Sequence, residues 1–189
     1  MSPGTVVLLV VGSVALLALI WFIATYNRFV RLGQHIKDSW AGIDVELKRR
    51  YDLIPNLVAT VKGYAAHERE VLERVIELRN RAAASHGSAE SQAADESSLM
   101  LGLKSLFAVA EAYPSLKADR NFLALQQELA NTEDRIAAAR RFYNGNVRDR
   151  NALRAQFPTS LVAGWAKVEP ATFFELSSEA ERVVPRSSF

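Results

Sequence analysis

The sequence predicts an all-α protein: a single N-terminal transmembrane helix followed by an antiparallel up-and-down four-helix bundle. Three observations carry this. Residues 1–27 contain no Asp, Glu, Lys, Arg or His, and the first charge is Arg28. Beyond it, apolar residues recur every three or four positions, the repeat of helices that bury one face. No stretch alternates apolar and polar residues with the period of two that a half-buried strand requires. The 189 residues suit one domain, and the net charge of +2 argues against a nucleic-acid partner. With no Cys in the chain, disulfides, thiol catalysis and Cys-ligated zinc are excluded.

The first element is the anchor. Thr5 to Thr25 reads TVVLLVVGSVALLALIWFIAT, interrupted only by Gly12 and Ser13. At 1.5 Å per residue it spans about 31 Å, close to the ~30 Å hydrocarbon core. Trp21, Phe22 and Tyr26 lie towards one end, where amphipathic rings favour headgroup level. A cleaved signal peptide would need a basic start, a shorter apolar core and a small-x-small site, and Met1-Ser2-Pro3-Gly4 carries no basic side chain. Membrane contact is therefore assigned to Val6–Phe22. Arg28, Arg31 and Lys37 follow the span, so the positive-inside rule places the N-terminus outside and the remainder in the cytoplasm.

Four amphipathic stripes follow. Ile36, Trp40, Ile43, Leu47, Tyr51 and Ile54 step by four, three, four, four and three. The second stripe runs Leu57, Val58, Val61, Tyr64, Leu72, Val75 and Leu78. A third, from Leu99 through Leu103, Leu106 and Phe107 to Tyr113, stops at Pro114. The fourth runs from Phe122 through Leu129, Ile136, Tyr143 and Val147 to Leu153, with Asp119 placed to cap it. Between the second and third, Ser85–Ser98 lacks strongly apolar residues and reads as a disordered linker, with Gly87 and Ser88 as cap candidates. The tail reads as the second disordered segment, with SSEAERVVPRSSF loosely ordered. Its apolar stretch SLVAGWAKVEPATFFEL could cover the bundle end, lie in the membrane interface or dock a partner.

Pro55 decides the topology. Inside a helix it removes one hydrogen bond and forces a kink; in a first turn its missing N–H costs nothing. With Asp52 as N-cap, the chain breaks near Tyr51-Asp52 and gives helices at about 28–50, 53–84, 88–113 and 119–157. A single kinked rod through Pro55, giving three helices, is the alternative. The expected organisation is an anchor over 1–27, a bundle over 28–157 and a tail over 158–189.

The segments LKRRYDLIPNLVATVKGYAAHE (Leu47–Glu68) and AVAEAYPSLKADRNFLALQQELANTEDRIAAARRFYN (Ala108–Asn144) resemble the LemA family. So does the uncharged leader followed by YNRFVRL. The resemblance implies one N-terminal membrane helix, a short outward N-terminus and a compact helical bundle. It implies no activity, because the family has no established molecular function. It also implies association with bacterial membranes, in one branch with magnetosome membrane formation, and a membrane-embedded zinc protease as a suggested partner. Arg50, Tyr51, Asp52, Pro55 and Asn56, within that signature, read as turn and capping chemistry.

Candidate chemistry is sparse. His35, His67 and His86 are the only histidines. His67-Glu68-Arg69-Glu70-Val71 starts like a zincin helix but has Val where the second ligand belongs. No His follows a Glu by three residues, so the di-iron bundle arrangement is absent. The glycines fit neither a phosphate loop nor a dinucleotide fingerprint, and no nucleophile elbow occurs. No catalytic, cofactor or metal residue is assigned, and no enzymatic activity is expected. Glu68, Glu133 and Arg140 intrude on apolar stripes, so a buried network is expected in which Arg140 bridges the carboxylates. Arg28, Arg31, Arg148, Arg150 and Arg154 are candidate headgroup contacts, since cations gain about 1 kcal/mol each close to an anionic leaflet. The expected role is a scaffold or adaptor presenting its bundle to another membrane protein; direct shaping of lipid is the alternative.

Overall fold

The computed structural model describes residues 2–85 and 87–177. Six helices follow in order: α1 Pro3–Tyr64, α2 Arg69–Ala84, α3 Ala89–Glu111, α4 Pro114–Lys117, α5 Arg120–Ala155 and α6 Thr159–Trp165. No strand occurs among the described residues. Contacts gather into two compact units, Met1–Asp38 with Gly145–Ala171, and Ser39–Asn144 with the chain from Thr172 on.

The first unit contains the apolar start of α1, a stretch long and apolar enough to cross a membrane and nowhere buried. Its small core joins Phe29, Leu153, Val162 and Ala163, with Phe22, Leu32 and Val168 packed alongside. Residues 168–171, just past α6, are held by α5. Arg154 Nε donates to the Val168 carbonyl at 2.8 Å, and Arg150 Nη1 to that of Glu169 at 2.7 Å. The Asn151 amide both donates to the Ala171 carbonyl and accepts from its N–H, each at 2.9 Å. An extended chain pairs its backbone with a strand in the same way.

The second unit buries most of the expected stripes, although Tyr64 is exposed. Ile43, Leu47, Ile54 and Val61 of α1, Leu72, Val75 and Leu78 of α2, Leu99, Leu103 and Leu106 of α3, and Leu129 and Ile136 of α5 are all buried. Gly102 of α3 lies against α2: a Cβ there would fall 2.8 Å from Leu78 Cδ1. Ser88 caps α3 through its hydroxyl, which accepts from Ser91 N at 3.2 Å. Asp119 caps α5 by accepting from Phe122 N at 2.9 Å and also takes the Tyr64 hydroxyl at 2.9 Å. The Phe122 N–H and the Tyr64 hydroxyl hold the Asp119 carboxyl below its ordinary value. Its contribution is thus complete above the unfolded carboxyl value and lost as pH falls through the folded one. Melting of full-length protein in detergent should show Asp119→Ala less stable than wild type at pH 7. The gap should close below about pH 4.

The structure corrects the sequence reading in three places. First, α1 runs unbroken through Tyr51, Asp52 and Pro55; the chain turns at residues 65–68 instead. Pro55 lacks the N–H that would bond the Tyr51 carbonyl four residues back. That carbonyl is not orphaned, because Arg79 Nε of α2 donates to it at 3.0 Å, with the guanidinium 5.9 Å from the Tyr51 ring centre. A tertiary contact thus supplies the bond that proline removes. Arg79→Met should cost about 1–3 kcal/mol, and less in a Pro55→Ala background, where residue 55 regains its N–H. Equal costs in both backgrounds would refute the compensation.

Second, most of Ser85–Ser98 is not a linker: α3 begins at Ala89, and Ala89, Gln92, Ala93, Glu96 and Ser97 are buried. Helical spacing puts these polar and small residues on one face, so low hydrophobicity there reflects an internal polar cluster. Third, the tail is helical over Thr159–Trp165, and Phe174 is wholly buried. Residues 178–189, which include most of the segment expected to be loosely ordered, and His86 lie outside the described residues.

Candidate functional site: a buried arginine–carboxylate cluster

The second unit assembles one cluster of buried charged and polar groups. Arg50 on α1 and Glu96 on α3 are each 1% exposed, and Glu133 on α5 is nearly as buried. The planar guanidinium fork engages two carboxylates at once, a geometry available to Arg and not to Lys. Arg50 Nη1 donates to Glu133 Oε1 at 2.9 Å and Oε2 at 3.0 Å. Arg50 Nη2 pairs with Glu96 Oε2, while the Tyr51 hydroxyl donates to Glu96 Oε1. Gln92, one helical turn before Glu96, donates through Nε2 to Glu96 Oε1 at 2.7 Å and to the Ala82 carbonyl at 3.1 Å. All four longer helices are therefore tied through this cluster.

Electrostatics fix its charge state. Burial alone lowers the Arg50 pKa, but Glu133 and Glu96 outweigh it and leave the guanidinium more firmly protonated than in water. Burial, and then the Glu96 carboxylate, raise the Tyr51 hydroxyl above its ordinary value. Tyr51 thus remains a neutral donor, the form the Glu96 contact requires. Arg50 Nε is buried without a hydrogen-bond partner among the described residues. Tyr51 and Gln92, at the edge of the cluster, also line a groove of about 340 Å³ with Asp44, Asp52 and Arg79.

The sequence-predicted residues fall as follows. Glu133 is in the cluster, paired with Arg50. Glu68 is half-buried immediately before α2, with no side-chain hydrogen bond as its cap. Arg140, also half-buried, lies two turns beyond Glu133 on α5. Sequence reasoning missed Arg50, Tyr51, Gln92 and Glu96. The available signal was Gln92 and Glu96 spaced one turn apart, beginning four residues after a good cap at Ser88. Arg28, Arg31, Arg148, Arg150 and Arg154 all belong to the first unit. Arg28, Arg31 and Arg148 are exposed, whereas Arg150 and Arg154 each spend one donor on the 168–169 backbone. No group of three or more His, Asp or Glu side chains that could hold a metal ion occurs among the described residues.

Fold and site together define an all-helical, membrane-associated protein whose strongest polar chemistry is internal. A sequence model of the LemA family matches residues 39–189, and the chain belongs to that family. It is similar to the magnetosome protein MamQ of Magnetospirillum gryphiswaldense, at 24% identity over 89% of this chain and 73% of that one. A second similar chain is magnetosome protein MamQ 2 of Paramagnetospirillum magneticum, 25% identical over 86% of this chain and 70% of its own. Protein LemA of Metamycoplasma hominis is 26% identical over 86% of this chain and 74% of its own.

Proposed function

We propose that the chain is a single-pass membrane adaptor, which holds a helical body at the cytoplasmic face and presents it to another membrane protein. In this reading the body is an antiparallel up-and-down four-helix bundle, and residues 1–27 act as its anchor. One observation carries the proposal: the charge-free start of α1 is unburied, whereas the apolar stripes of α2, α3 and α5 are sequestered. Such an exposed apolar run requires lipid or a partner. Confinement beside a bilayer raises the effective concentration of the body for other membrane proteins. Arg28, Arg31, Arg148, Arg150 and Arg154 serve as headgroup contacts. A family relationship to proteins named for magnetosomes is compatible with a role at membranes.

The absence of Cys makes topology directly testable. A membrane-impermeant maleimide applied to intact cells should label Ser2→Cys, and should label Lys62→Cys only after lysis. The reverse pattern would overturn the orientation. Crosslinking from exposed α2 and α5 positions in intact membranes should capture a distinct membrane protein. Recovery of lipid and self-adducts alone would replace the adaptor with direct action on lipid.

A further inference from the structure

We propose that α6 is an interfacial foot: its outward face docks into the headgroup–acyl boundary of the bilayer that α1 crosses, with lipid phosphate received by Arg154 and Lys167. The inference rests on the anchoring proposed above and adds a second, separate lipid contact.

The two faces of α6 differ sharply. Val162 and Ala163 point into the small core with Phe29 and Leu153. On the other side Leu161 and Trp165, one turn apart, are 64% and 68% exposed, and Phe157, in the turn before α6, is 81% exposed. Three large apolar side chains uncovered at and just before α6 are more than scattered surface residues. Position identifies the occupant. The Trp165 ring lies edge-on against Phe22 at 5.1 Å and against Tyr26 at 6.3 Å between centres. Phe22 belongs to the charge-free span, and Tyr26 lies two residues before the first charge. Interfacial helices sink about 5–10 Å into the boundary, so a ring this close to Phe22 is at that depth whenever α1 spans. The uncovered patch is continuous with the lipid-facing surface of the anchor, and a tryptophan at its end suits headgroup level.

Charge is arranged to match. A groove of about 590 Å³ beside α6 is lined by Arg154, Ser160, Lys167 and Glu169, with Gly164 at its wall. Arg154 spends Nε on the Val168 carbonyl, which orients the guanidinium while its two terminal nitrogens retain donors. Lys167 is exposed, at a left-handed backbone position (φ 48°). The two cations outnumber Glu169, and Arg28 is exposed on α1 in the same unit. Anionic phosphodiester headgroups fit this set, with apolar rings below and cations above.

The test uses full-length protein in vesicles, with a nitroxide on Leu161→Cys, on Leu8→Cys in the anchor or on Ser115→Cys in α4. Collision with oxygen against a water-soluble nickel chelate reports depth. In vesicles containing phosphatidylglycerol, the Leu161 label should favour oxygen several-fold over the Ser115 label, at a depth shallower than Leu8. Arg154→Gln with Lys167→Gln should lower the docked fraction relative to undocked by about thirtyfold. The same pair should have little effect in phosphatidylcholine alone. Helicity by circular dichroism confirms that each variant is folded. A buried Leu8 label with a water-exposed Leu161 label would overturn the foot and leave the anchor intact. A water-exposed Leu8 label would overturn both. A depth at Leu161 insensitive to the two charges in anionic vesicles would overturn phosphate recognition. Loss of docking on adding millimolar inorganic phosphate would identify a free-phosphate site instead.

Discussion

Replacing Arg50 by Met should destabilise the folded chain by about 3–5 kcal/mol, because it strands Glu96 and Glu133 without their buried counter-charge. The measurement is chemical unfolding of full-length protein in detergent, followed by far-UV circular dichroism. Arg50→Lys should recover only part of the loss, since one ammonium cannot hold two carboxylates in a planar fork. The triple replacement Arg50→Met, Glu96→Gln, Glu133→Leu should recover most of it. The amide that Glu96→Gln introduces can still accept from Tyr51, and an apolar pair of similar volume replaces an ion pair at little net cost. That recovery separates a register device from a simple packing residue: loss of bulk at position 50 would not be repaired at positions 96 and 133. If unfolding curves of Arg50→Met and wild type coincide, the cluster does not hold the helices together.

Phe174→Ala should cost a similar amount, about 3–5 kcal/mol. Phe174 is wholly buried and lies edge-on to Trp40, with ring centres 5.4 Å apart. Its backbone is clasped by Asn144, which donates to the Phe174 carbonyl at 3.0 Å and accepts from its N–H at 2.9 Å. The Tyr143 hydroxyl donates to the neighbouring Thr172 carbonyl at 2.9 Å, and Ser177 N to Ser97 Oγ at 3.0 Å. The neighbouring Phe173 is 36% exposed, so Phe173→Ala should fall within about 1 kcal/mol of wild type. Equal effects at the two positions would mean that the 172–177 segment is not an integral part of the core.

These two predictions also mark where the sequence was legible. Periodicity identified most buried positions of α1, α2, α3 and α5, because apolar spacing reflects packing directly; Tyr64, on a stripe yet exposed, is an exception. Asp119 and Ser88 were readable as caps, since capping is local chemistry. Pro55 was misleading because its lost hydrogen bond is replaced by Arg79, 24 residues away in sequence, and no local rule anticipates a distant donor. Glu96 and Gln92 were hidden for a related reason: a polar residue on a helix reads as solvated until its partner is known. The partner Arg50 sat in a segment whose Pro and Asp suggested a turn. Asn144 and Asn151 looked unexceptional on α5, yet each clasps the backbone of a segment that carries no periodic signal of its own.

The two kinds of polar group therefore serve different ends. Arg50, Glu96 and Glu133 face one another and specify how helices meet. Arg28, Arg31, Arg148, Arg154 and Lys167 lie exposed in the unit that contains the apolar start of α1. Neither set presents a nucleophile beside a base, the arrangement that covalent catalysis requires. The internal cluster ties the helices of the second unit to one another, and the exposed cations are the proposed lipid contacts.

Extraction of native membranes with alkaline carbonate tests the anchoring most directly, because it strips proteins held by charge or by docking and leaves those whose helix crosses the bilayer. The full-length chain, starting at or near Met1, should remain in the membrane pellet, and introducing Leu9→Arg with Leu16→Arg should shift it to the supernatant. Release of the unaltered chain, or a mature form beginning beyond Tyr26, would contradict the assignment of α1 as a membrane anchor.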